Sequence, residues 1–140
     1  MTDYSLTPEQ RAENVRAVAS TAAAAIRFLN NATLSPGDAA LESPADVDAV
    51  LAELESMAGR LPQLLGQLGG WLAAECAAGR LRVTPHLWER SPSTEALAVS
   101  AARQYFTEAT VHAEALREVL HDARQITAAI VAPAGSEEEL

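Results

Sequence analysis

Lysine is absent from this chain: all ten basic residues are arginine, set against nineteen carboxylates for a net charge of −9. A general nucleic-acid binder needs a basic face to neutralise phosphates, so that class is disfavoured. The single cysteine, Cys76, excludes an intramolecular disulfide and suits a reducing compartment. Aromatic residues are scarce, two each of Phe, Tyr and Trp. They never alternate with β-branched residues over a useful length, which leaves strands poorly supported. Long apolar runs are also missing: Leu61 to Ala74 is too short to span a bilayer and is interrupted by Gln63 and Gln67. The start of the chain carries Asp3 and lacks a basic region followed by an apolar core, so neither a signal peptide nor a membrane span is expected and a cytoplasmic location is.

What is abundant is alanine, thirty of the 140 residues. Alanine favours helix and lets helices approach closely. With 49% apolar residues, a chain of this length can build one domain with a sizeable core. The dominant stretch is Pro92 to Val131, with no internal proline or glycine. There Ala98, Ala102, Tyr105, Ala109, Leu116, Val119, Ala123, Ile126 and Ile130 recur in steps of four and three, broken only by His112. This spacing is a heptad seam, and Val99, Phe106, Ala113 and Leu120 lie beside it and widen it.

Two earlier segments show the same kind of start. Thr7-Pro8-Glu9-Gln10 holds a capping threonine, a proline at the first helical position and a glutamine able to close a capping box. Ala12, Val15, Ala19, Ala22, Ile26 and Leu29 follow one face, and Asn30-Asn31 offers a left-handed terminator, so helix is predicted over 8–31. Ser35-Pro36-Gly37-Asp38 supplies a turn, beside which Leu34 and Leu41 are expected to tuck against the bundle. Ser43-Pro44-Ala45-Asp46 opens the second helix, whose stripe runs from Val47 through Leu61 and resumes as Leu64, Leu65, Leu68, Trp71, Leu72 and Cys76 until Gly79. Pro62 lies inside it and removes one helical hydrogen bond, so the chain either kinks or stops and restarts; with no turn cluster nearby, one kinked helix is the reading. Leu81 and Val83 look extended, and Thr84 to Glu89 fits one helical turn anchored by Trp88.

Few constellations suggest chemistry. His112 on the seam, with Glu108 one turn and Tyr105 two turns before it and Trp71 on the second helix, outlines a possible pocket; the plainer reading is a partly buried core histidine. Glu118 and His121 have the Glu-x-x-His spacing of di-iron bundles, but a second such pair is missing and Arg117, Asp122 and Arg124 mark that face as solvated. Cys76 has only Glu75 as an ionisable near neighbour in sequence, so an inert thiol is expected rather than a nucleophile. Gly66, Gly69 and Gly70 lack the lysine and strand context of a phosphate loop and instead allow close helix approach or weaken the helix near its end. Arg80, Arg82, Trp88 and Arg90 form a small basic patch for an acidic segment or a nucleic-acid end, or pair with the chain's own carboxylates.

The expected fold is all-α, an antiparallel bundle of three long helices over residues 1–131. The second is kinked at Pro62, which gives a possible four-helix count. A short helical connection lies near Trp88, and residues 132–140 form an acidic disordered tail. At about 1.5 Å per residue the first helix covers some 36 Å of a seam roughly 60 Å long, leaving one end of the third helix open. An open apolar groove calls for a partner, a second copy in a homodimer or another helical protein. Phe106, Leu116, Val119, Leu120, Ile126 and Ile130, with the Arg80 to Arg90 connection, are the expected contact residues. The expected function is non-catalytic helical interaction without cofactor or metal; an enzyme or small-ligand-binding bundle with a pocket around His112, or weak nucleic-acid association, is the alternative.

Overall fold

A computed structural model describes residues 5–34, 40–84 and 94–134. Three helices hold most of them: α1 (Pro8–Ala32), α2 (Pro44–Ala77) and α3 (Thr94–Thr127). The described residues contain no strand, so the fold is all-α as composition and periodicity imply. The chain divides into two compact units between residues 42 and 43.

In the first unit, α1 starts where the sequence places it. The Thr7 backbone amide donates to Gln10 Oε1 at 2.8 Å and the Gln10 amide donates to Thr7 Oγ1 at 3.2 Å, a closed capping box. Its end differs from expectation. Among the described residues none but glycine takes a positive φ; Asn30 and Asn31 remain helical and the helix closes at Thr33. The Thr33 amide and hydroxyl both donate to the Leu29 carbonyl, satisfying it locally without a left-handed residue. Leu34 does not tuck in but is exposed, whereas Leu41 is half-buried.

The second unit is a pair of antiparallel helices. α2 opens with the Ser43 amide donating to Asp46 Oδ2 at 2.8 Å. It then runs unbroken through Pro62, which selects one helix over two. It ends on Gly79 at φ +71°, the Gly79 amide donating to the Cys76 carbonyl and the Arg80 amide to the Glu75 carbonyl. That pair of bonds is the Schellman closure, and it requires the left-handed conformation that glycine adopts without strain. α3 is shorter than the forty residues expected: it stops at Thr127, and Ile130 lies beyond it. The Thr127 hydroxyl is drawn to Asp48 Oδ1 at 3.0 Å and to the Arg124 carbonyl, and the chain turns at 128–129. The Ser91-Pro92 start, the Trp88 turn and the end of the acidic tail lie outside the described residues.

α2 and α3 each run over 34 described residues, about 51 Å. Their contact is narrow. Gly59 faces Arg117, whose Cδ would stand 3.0 Å from an added Cβ, and Gly69 faces Arg103 and Phe106 at 3.4 and 3.5 Å. Ala58 and Ala113, at 1% and 6% exposure, are the only buried hydrophobic side chains of the described residues. Glycine and alanine bring the backbones together, and arginine stems lie across the gaps.

Candidate functional site

The stripe of α3 that meets α2 is the one flanking the predicted seam. Phe106, Ala113, Arg117 and Arg124 face α2, with Leu120 half-buried among them. The seam itself is split: Ala98, Ala102, Ala109 and Ala123 are half-buried, whereas its large residues Tyr105, Leu116, Val119 and Ile126 are all exposed. This corrects the inward placement of His112, whose side chain is 76% exposed and lies 3.9 Å from Glu108 on its own helix. Both stripes recur every seven residues and run side by side, so periodicity alone does not choose between them; the choice falls to the stripe whose small residues and arginine stems fit the glycines of α2.

His121, read as solvated, instead joins the two helices. Its Nδ1 lies 3.1 Å from Glu55 Oε1 and its Nε2 3.1 Å from Gln125 Nε2. Arg124 Nη1 donates to the other Glu55 oxygen at 2.8 Å, and Arg124 Nε stands 3.4 Å from Asp48 Oδ1. The Arg124 hydrogen bond, seconded by His121, holds the Glu55 carboxyl below its ordinary range, and the two acceptors Glu55 and Asp48 raise the Arg124 guanidinium above its own. The signal for this clamp is complementary charge at heptad spacing: Asp48 and Glu55 on α2, Arg117 and Arg124 on α3. It fixes register and is a structural feature rather than a metal centre. No group of three or more His, Cys, Asp or Glu able to hold a metal occurs among the described residues.

The basic connection is committed locally. Arg80 pairs with Glu75 through Nε and Nη2 at 2.7 and 2.8 Å, which lowers the Glu75 carboxyl and raises the arginine. Arg82 Nη1 donates to the Leu81 and Gly79 carbonyls. Trp88 and Arg90 lie outside the described residues. Cys76 is half-buried at a surface cleft of about 370 Å³ that also touches Val99 and Arg103.

The feature with reach is an apolar side of the α2–α3 pair. Met57, Leu64, Leu68 and Trp71 are exposed on α2, displaced by about a third of a turn from the stripe that meets α3. Tyr105, Leu116, Val119 and Ile126 are displaced on α3 in the same angular sense. In an antiparallel pair, equal offsets of the same sense fall on one side. The cross-helix contacts, Asp48 with Thr127, Glu55 with Arg124 and Gly69 with Phe106, set Trp71 level with Tyr105 and Met57 level with Val119. The opposite side carries Ser56, Gln63, Thr107, Glu114 and Glu118, all exposed, with Leu97 and Val111 as large apolar exceptions. The four residues of the expected pocket, Trp71, Tyr105, Glu108 and His112, thus share the apolar side, but Trp71 is 60% and Tyr105 71% exposed and they form an open surface.

The chain matches no known family model, no curated protein and no solved structure. No described helix is long and apolar enough to cross a membrane.

Proposed function

We propose that this is a non-catalytic helical interaction protein that docks a protein partner on the apolar side of the α2–α3 pair. The observation that carries the reading is the separation of its side chains. The large apolar side chains of the two helices are not among their fully buried residues, which are Ala58, Gly69, Thr94 and Ala113, while Leu64, Leu68, Trp71, Leu116, Val119 and Ile126 stand exposed together on one side. A contiguous apolar strip of this size on a small protein is the usual mark of an interaction surface. Aromatic anchors such as Trp71 and Tyr105 are the residue types that dominate such surfaces. The arginines of the connection support this reading over nucleic-acid association, since Arg80 and Arg82 already spend their donors within the chain.

Site-specific photo-crosslinking tests the proposal. A photoreactive residue at Leu64 or Leu116 is expected to trap polypeptide adducts in cells, and one at Gln63 or Glu118 on the opposite side is not. Adducts of equal yield from both sides, or none from either, would count against it.

A further inference from the structure

We infer that the partner seated on the apolar side is a second copy of this chain, packed face to face so that two α2–α3 pairs build a four-helix layer. This rests on the interaction reading above and names its occupant. Area is the first argument. Eight exposed side chains (Met57, Leu64, Leu68 and Trp71 on α2 with Tyr105, Leu116, Val119 and Ile126 on α3), each offering roughly 100 Å², present on the order of 800 Å² per copy, one partner's share of a standard stable interface.

Charge is the second argument. The chain as a whole carries −9, and two copies repel unless their meeting surface is nearly neutral. Along this side the eight large side chains are apolar on both helices, and the carboxylates that accompany them, Glu108 and Asp122, share one heptad position on the outer edge of α3, with His112 3.9 Å from Glu108. A two-fold axis requires that a surface complement itself, and an apolar strip with its carboxylates at the edge does so without opposing like charges at its centre.

Light scattering of the full chain at micromolar concentration is the test. The expected mass is twice 14.8 kDa. Leu64→Glu and Leu116→Glu, each of which places two carboxylates in the symmetric contact, are expected to weaken association by roughly 100-fold or more while circular dichroism stays helical. Gln63→Glu, on the opposite side, is expected to leave it unchanged. A wild-type chain that remains monomeric, or a dimer that neither variant disturbs, overturns the inference. The mass of the Leu64 photo-adduct separates the two failures. An adduct with a different polypeptide overturns the self-pairing alone, whereas a monomer that yields no adduct overturns the interaction reading as well.

Discussion

Arg124 and Glu55 meet at 2.8 Å across the α2–α3 pair, 69 positions apart in the chain. The same carboxylate accepts from His121, and the same guanidinium stands against Asp48, so four side chains from two helices hold one register. A heptad pattern permits slippage by whole turns; in the observed alignment this cluster sets Arg124 against both carboxylates. Most of its consequences are measurable.

The first concerns pH. The folded-state pKa of Glu55 lies below its ordinary value, with the Arg124 hydrogen bond as the main cause. Its contribution to stability is therefore fully present above the ordinary carboxylate range and is lost as pH falls through the folded value. Glu75 behaves in the same sense through Arg80. Urea midpoints of wild type and Glu55→Gln are expected to differ at neutral pH and to converge as pH falls below the ordinary carboxylate range and through the lowered folded value. A difference that persists undiminished at low pH would show that Glu55 acts by packing and not by charge.

The two histidines separate clearly. His121→Ala removes a cross-helix hydrogen bond and is expected to lower the melting temperature. His112→Ala, at an exposed position with only Glu108 nearby, is expected to stay within about 0.5 kcal/mol of wild type. Thermal denaturation of the two variants side by side decides the matter.

The glycines of α2 are not equivalent. An added Cβ meets nothing within 4 Å at Gly66 or Gly70, so alanine there is expected to stabilise by about 0.5–1 kcal/mol each through helix propensity. At Gly69 the new methyl touches Arg103 and Phe106, and the gain is expected to be smaller. Gly79→Ala acts in the opposite direction, because φ +71° is strained for a side chain, at about 1 kcal/mol. Chemical denaturation gives all four values, and a stabilising Gly79→Ala would contradict the closure described for α2.

Enlarging the narrow contact is expected to damage it. Ala58 is 1% exposed at the point of close approach, so Ala58→Leu has no room and is expected to cost about 1–3 kcal/mol by overpacking. Val50→Leu, half-buried on the flank, is expected to change stability far less.

Much of the local structure was legible because its causes are local. Thr7 with Gln10, Ser43 with Asp46 and the Gly79 closure involve residues within a few positions, and each appears where the sequence places it. The unbroken course through Pro62 was legible for the same reason, since no turn-forming residues surround it. What periodicity left open was rotation. The seam through Tyr105, Leu116 and Ile126 is the more apolar of two adjacent stripes, yet α2 presents Gly59 and Gly69, which accept arginine stems and Phe106 better than a row of large aliphatic side chains. The outcome depends on the shape of the facing helix, information that lies some fifty residues away in the chain. That same rotation moved His112 outward, set the still exposed His121 against Glu55 and spread the exposed apolar surface along a whole side instead of one end of α3.

The nested order of the contacts between α2 and α3 also bears on how the pair opens. Cys76 and Val99 meet near the connection, Gly69 and Phe106 further out, Glu55 and Arg124 further still, and Asp48 and Thr127 last, 79 positions apart. Loop-closure entropy rises with each step, so the far end gains least from its neighbours and frays first. The polar clamp occupies that far end, where a chain joined only at its other end has the greatest freedom to slide. Its location turns the weakest part of a zipper into the part that checks alignment: amides near Gly69 exchange slowly whatever the pairing, while protection around Glu55 reports whether the teeth have closed in the right order.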